Sequence, residues 1–237
     1  MSEPRRKAES IILVHGAWSD GSIWARVIPQ LRAAGLSVTA VQLPLTSLAD
    51  DTAVVRRAIA LEDGPIVLAG HAYGGVVITE CGDHPKISGL VYVAAFAPDI
   101  GASAFSLGRR ADASPADAEI RTDSADFLKL TPKGVTEDFA QDLPESVRET
   151  MIATQGPISL DALGAPATNA AWRSKPSWFV LARHDRTISP FLQQMMADEI
   201  GATAVDVFSS HVAMLSCPGN IADVLIEATR APDSRHR

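Results

Sequence analysis

The sequence predicts an α/β protein with a mostly parallel sheet and helices on both faces. Two observations carry this. Short apolar runs alternate with helical patterns along most of the chain, the rhythm of βα units. The runs are also continuously apolar, as strands are when both faces of a parallel sheet are covered. With 237 residues, 46% of them hydrophobic and 21% charged, the chain suits one domain with a substantial core.

Taken in order, Ile11-Ile12-Leu13-Val14 is the first strand. A helix follows with Trp24, Ile28 and Leu31 on one face, and Gly35 ends it. Val38-Thr39-Ala40-Val41 is the second strand, and Ser47 caps a helix carrying Leu48, Thr52, Val55 and Ile59 on its inner face. Ile66-Val67-Leu68-Ala69 is the third strand, a helix runs from Val76 towards Pro85, and Leu90-Val91-Tyr92-Val93-Ala94 is the fourth. The pattern then changes. Residues 100 to about 170 are rich in Ala, Asp, Pro and Ser and contain no convincing strand, only short helices such as one from Glu145 to Thr154. This segment reads as an inserted cap rather than a disordered linker, because Phe127, Leu128, Phe139, Met151 and Ile152 offer apolar anchors. The βα rhythm resumes with the strand Ser177-Trp178-Phe179-Val180-Leu181, a helix over 191–200, the strand Ala204-Val205-Asp206-Val207-Phe208 and a last helix over 220–229. The expected organisation is a single domain, with its core in 10–99 and 171–232 and its cap in 100–170.

The formal net charge of −7 argues against a general nucleic-acid binder, and Arg5-Arg6-Lys7 reads as a solvated tail. No apolar stretch reaches the roughly 20 residues that span a bilayer. The Met1-Ser2-Glu3-Pro4 start lacks the form of a signal peptide. The two cysteines, Cys81 and Cys217, lie far apart with no metal-site spacing. Both read as reduced thiols of a cytoplasmic protein.

The most informative segment is Gly70-His71-Ala72-Tyr73-Gly74-Gly75, directly after the third strand. The pattern Gly-x-Ser-x-Gly sets a serine on a sharp turn between strand and helix, with glycines letting the two elements pack closely. Here the surroundings fit and the centre is alanine, whose methyl group cannot attack a carbonyl. Three further segments fall at strand ends, where ligands of open α/β sheets collect: His15-Gly16-Ala17-Trp18, His184-Asp185 and Ser209-Ser210-His211. His211 suits the base of acyl transfer and Asp185 the acid that orients it, with Asp99 as the substitute acid. The oxyanion donors are the N–H groups of Tyr73 and Ala17. His15 reads as shaping the loop beside Gly16, His71 as packing beneath the elbow, and His84 and His236 as solvent residues. Trp18, Tyr73, Phe127 and Trp172, with His15, are candidates to line a substrate pocket; each aromatic could equally be plain core. No residue set points to a metal.

Together, Leu13-Val14-His15-Gly16-Ala17-Trp18, the elbow segment, His184-Asp185-Arg186-Thr187-Ile188 and Ser210-His211-Val212-Ala213-Met214-Leu215-Ser216 resemble the α/β-hydrolase superfamily. They look most like its compact branch of plant-type methyl esterases, hydroxynitrile lyases and small bacterial esterases. The resemblance covers nearly the whole chain. It implies a six-stranded mostly parallel sheet, a helical cap, no cofactor, and hydrolysis of a small ester. Independently of the resemblance, the expected partner is a small ester-like molecule rather than nucleic acid or a membrane, and the expected state is a monomer or homodimer. The departure is Ala72, where the family has serine. Three readings of it stand: a chain disabled by design, a natural non-catalytic small-molecule binder, and a natural enzyme using Asp185 and His211 as a general-base pair. A lyase of the hydroxynitrile type would ask for a cation near the leaving group, for which Lys129 and Lys133 are the candidates.

Overall fold

Six of the apolar runs assemble side by side in the computed structural model, which describes residues 9–230. In chain order the strands are β1 (Ser10–Val14), β2 (Ser37–Ala40), β3 (Ile66–His71), β4 (Ile87–Val93), β5 (Ile120–Thr122), β6 (Phe127–Leu130), β7 (Ile158–Ser159), β8 (Ser177–Ala182) and β9 (Thr203–Val207). The main sheet has the order β2-β1-β3-β4-β8-β9, and every neighbouring pair is parallel. β1, β3 and β8 are buried at every position, which is why they read as unbroken apolar runs. The edge strands β2 and β9 are half-buried to exposed at all but one position, and that accommodates Thr39 and Asp206 within them.

β2 and β3 lie on opposite sides of β1, so the strand order reverses there and opens a crevice beyond the carboxyl ends of β1 and β3. Helices α1 (Ile28–Ala33), α2 (Leu48–Leu61) and α3 (Gly74–Cys81) make the first crossovers. The first helical stretch is not continuous. A 3₁₀ turn, Gly21–Trp24, precedes α1, which restarts around Pro29, a residue with no N–H to extend an earlier helix. Ser47 caps α2 by accepting the N–H of Asp50 at 3.1 Å, and Gly35 takes φ +82° after α1.

The segment from 100 to 170 differs from its expected form. It carries α4 (Ala104–Gly108) and the helix Glu145–Thr154, but also an antiparallel sheet, β5-β6-β7. Strands of two to four residues are too short for period-two alternation to stand out. Only Phe127-Leu128-Lys129-Leu130 shows it, with Leu128 and Leu130 buried and Lys129 exposed. The insertion is stitched to the loops after β8 and β9. Arg186 pairs with Asp138 at 2.7 Å, Gln141 donates to the His184 carbonyl at 2.7 Å, and the Ser210 N–H donates to Asp142 at 2.8 Å.

Cys81 is buried, Cys217 partly so, and both are free thiols; burial pushes Cys81 up to about 12. Among the described residues no helix is long and apolar enough to cross a membrane. The expectations for Met1 to Lys7, for His236 and for the last residues of the core lie outside the described residues.

Candidate active site

β3 ends at His71, and α3 begins three residues later at Gly74. The turn between them is made by Ala72 at φ 49°, a left-handed conformation that costs a residue with a side chain roughly 1–2 kcal/mol. Close packing dictates the glycines on either side. A Cβ at Gly70 would stand 2.5 Å from the Gly74 carbonyl oxygen, and one at Gly74 would stand 2.7 Å from the carbonyl oxygens of Val14 and His15. The loop after β1 presses just as closely: a Cβ on Gly16 would lie 2.7 Å from the Ala72 methyl carbon. Residue 72 is therefore pressed by the loop after β1 on one side and lines a cavity of about 470 Å³ on the other.

His211 lines the same cavity. Its Nδ1–H donates to Asp185 Oδ2 at 2.7 Å, and neither side chain is more than 1% exposed. With Nδ1 donating to a carboxylate, which only accepts, the lone pair rests on Nε2 and the ring can take a proton there. Asp185 is held from three more directions. The N–H groups of Thr187 and Ile188 donate to Oδ1 at 2.7 and 3.0 Å, and Gln193 Nε2 donates to Oδ2 at 2.7 Å. Gln193 is fully buried, and its Oε1 also accepts the Ala182 N–H at 2.9 Å. The end of β8 and the start of the following helix thus brace the carboxylate.

His71 braces the histidine in turn. Its Nε2–H donates to the His211 carbonyl at 3.1 Å, the two rings are 4.6 Å apart, and Phe139 packs against both. Burial, then the neighbouring His211, hold His71 well below the ordinary imidazole value, so it stays neutral. His15 is also buried, and burial lowers it. Its Nε2 accepts the Leu43 N–H at 2.9 Å, which leaves Nδ1–H to donate to the Gly16 carbonyl at 2.8 Å. This clamp sets the loop's shape. His15 does not reach the cavity wall, which corrects its expected place in the pocket.

Ala17 and Tyr73 both line the cavity, and among the described residues neither backbone N–H has a protein acceptor. The Tyr73 hydroxyl points away from the cavity and donates to Asp51 Oδ2 at 2.9 Å, while Asp51 Oδ1 accepts the Leu45 N–H at 2.8 Å. Burial outweighs those two bonds and pushes Asp51 up to about 6. Trp18 also lines the cavity.

Two other expected pocket residues do not line it. Phe127 lies on β6 within the small sheet, and Trp172 donates its Nε1–H to the Pro98 carbonyl at 2.8 Å beneath the Arg173 guanidinium. Phe105, Phe139, Ile120, Leu163 and Leu192 supply the apolar wall instead. Asp99 pairs with Arg173 at the surface, so it is no substitute for Asp185. Lys133 pairs with Glu119 at 3.0 Å, and neither Lys129 nor Lys133 lines the cavity; the cation at its rim is Arg109. Among the described residues no three His, Cys, Asp or Glu side chains gather as a metal site would require.

The residues unseen in the sequence are Gln193, Asp51, Asp142 and Arg109. Gln193 had one available signal, a polar residue one position after Leu192 and three before Met196 on the inner face of a helix. Chemically, the arrangement offers a base at Nε2 of His211 and two free N–H donors around residue 72, within an apolar cavity.

Fold and site together define an α/β-hydrolase. Residues 11–224 match the model of the alpha/beta hydrolase family, and the chain belongs to that family. Methylesterase 1 of Arabidopsis thaliana is 25% identical over 96% of this chain and 98% of its own length. A pyrethroid hydrolase of Sphingobium wenxiniae is 28% identical over 94% of this chain and 88% of its own. The crystal structure of polyneuridine aldehyde esterase shares the fold at a TM-score of 0.80, with 23% identity over 92% of this chain and 98% of that one. Esterases among its relatives support a hydrolase of the esterase type.

Proposed function

We propose that this chain is a carboxylic-ester hydrolase in architecture whose nucleophile position is occupied by Ala72, so that it binds an ester-like small molecule and scarcely turns it over. The observation that carries the reading is the buried His211–Asp185 pair opening onto the same cavity as the Ala72 methyl group. With serine at 72, the hydroxyl would attack the ester carbonyl and His211 Nε2 would take its proton. The N–H groups of Ala17 and Tyr73 would hold the oxyanion. Collapse would expel the alcohol, protonated by His211. A water deprotonated by the same nitrogen would then release the acid. The insertion acts as the cap that sets substrate choice. No cofactor enters this chemistry. The protein acts in the cytoplasm as a monomer or homodimer, on small molecules and not on nucleic acid or membranes.

Loss of a triad serine costs on the order of 10⁶ in kcat in serine proteases, about 8 kcal/mol of barrier. The chain should therefore show near-zero turnover of short p-nitrophenyl esters, and Ala72→Ser should raise it by several orders of magnitude. A folded Ala72→Ser protein that stays inert across a broad ester panel would overturn the reading.

One observation favours a second reading. The histidine–carboxylate pair is fully braced although the alanine leaves it nothing to activate. A general-base enzyme acting on water or a substrate proton needs that pair and no covalent intermediate, whereas a purely non-catalytic binder has no use for it. Residual turnover by the unaltered chain that disappears in His211→Ala would select this reading.

A further inference from the structure

A second cleft, of about 440 Å³, lies beside the catalytic cavity, between the loop after β1 and the helix Glu145–Thr154. Among the described residues, Trp18 alone lines both spaces. Trp18 therefore stands where the two spaces meet.

The chemistry of the cleft points to an apolar occupant. Its floor is Ile23, Val147, Met151 and Leu215, with the Trp18 ring as one wall. Of the polar groups along it, Ser22 and Ser146 are exposed, and three hydroxyls are engaged within the chain. Ser19 donates to the Gly16 carbonyl at 3.1 Å, Thr150 to the Ser146 carbonyl at 2.9 Å, and Thr154 to the Thr150 carbonyl at 2.9 Å. Asp20 accepts the Ser22 N–H at 2.7 Å. The helix above has no fully buried residue; Val147 and Met151 pack against the core with part of their surface and line the cleft with the rest, a space that no described residue fills.

Trp18 is buried in the core, and its directional contacts are few. Trp18 takes φ 57°, an unusual conformation for a bulky residue. Its Nε1–H makes a single hydrogen bond, to the Leu128 carbonyl of β6 at 3.0 Å, and its ring meets Phe139 edge-on at 6.0 Å. It also follows Ala17 directly in sequence, which puts the wall immediately beside one of the two free N–H donors.

We propose that Trp18 is the specificity-determining wall of the ester site and that the cleft behind it is an extension fitted to a long aliphatic chain. While the indole is in place, the site favours short or compact ligands. Removing it joins the two spaces and about doubles the room next to the reacting carbon. This rests on the esterase reading of the cavity. The gain comes from burying methylenes, each of which favours binding when taken out of water.

Two arms test it. In the Ala72→Ser background, Trp18→Ala should raise the ratio of kcat/KM for p-nitrophenyl decanoate over p-nitrophenyl acetate at least tenfold, and Trp18→Phe, which keeps most of the wall, should leave the ratio within threefold. In the unaltered Ala72 chain, Trp18→Ala should tighten binding of methyl decanoate at least tenfold by titration calorimetry and leave methyl butanoate unchanged. The second arm needs no turnover. An inert Ala72→Ser protein would count against the esterase reading, while the wall would still be judged by binding. Thermal unfolding by circular dichroism confirms that each variant is folded, and Trp18→Leu carries the same comparison should Trp18→Ala not fold. Unchanged chain-length preference in a folded, truncated variant overturns the proposal, as does an equal shift in Trp18→Phe.

Discussion

Replacing Asp51 by asparagine should stabilise the protein at neutral pH, although it removes a charge from the first turn of α2, where a carboxylate is normally favourable. Asp51 is fully buried, and burial raises it from 3.8 to about 6 against the opposing hydrogen bonds from Leu45 and Tyr73. Between those two values the folded state holds more protons than the unfolded one. Stability therefore falls as pH rises through this window, and the cost is fully present above pH 6. A shift of about two units corresponds to about 3 kcal/mol. Asparagine keeps both contacts: Oδ1 can accept the Leu45 N–H, and Nδ2–H can donate to the Tyr73 hydroxyl oxygen. The measurement is urea denaturation of parent and Asp51→Asn at pH 5 and pH 7.5. The stability difference in favour of the variant should grow by about 1.4 kcal/mol over that interval, about half of the full effect being already present at pH 5. A difference that stays constant, or that grows towards low pH, would show that Asp51 has no raised pKa in the folded state.

Other substitutions test other parts of the account. Gly74→Ala drives a methyl group into the Val14 and His15 carbonyls and should cost about 3 kcal/mol, seen as a lower urea midpoint; an unchanged midpoint would mean that the elbow is looser than described. Ala72→Ser adds one hydroxyl to a residue already left-handed at φ 49°, so its unfolding free energy should stay within about 1 kcal/mol of the parent. Asp185→Asn in the Ala72→Ser background should lower kcat by about 10⁴ through the wrong histidine tautomer, as in serine proteases, and a loss of less than tenfold would remove Asp185 from its assigned role.

What the sequence disclosed depended on how local the signal was. β1, β3 and β8 are buried on both faces, so their apolar runs needed no tertiary knowledge. The elbow was legible because its glycines and its central residue lie within six positions of one another. Asp185 and His211 could be paired by chain order, since parallel strands deliver successive loops to one end of the sheet. The insertion resisted for the opposite reason. Nothing in the spacing of Phe127 says which side of the insertion it faces, Trp172 falls just beyond that segment, and strands as short as β7 leave no period. Asp51 gave no sign of being a site residue, and Gln193 only that of a polar residue on a helix's inner face, because each serves a partner brought near only by folding. Asp51 meets Tyr73 from 22 positions away, and Gln193 reaches back from a helix to the loop after β8.

The central claim is that His211, Asp185 and the N–H groups of Ala17 and Tyr73 converge on the side chain of residue 72. Covalent capture tests this most directly: diisopropyl fluorophosphate is applied to the unaltered chain, to Ala72→Ser, and to Ala72→Ser carrying His211→Ala, and peptide mass spectrometry locates the adduct. The account predicts an adduct on residue 72 in the serine protein, none there in the unaltered chain, and at most a trace once His211 is removed. Absence of an adduct at residue 72 in a folded serine protein, or equal labelling with and without His211, would contradict it.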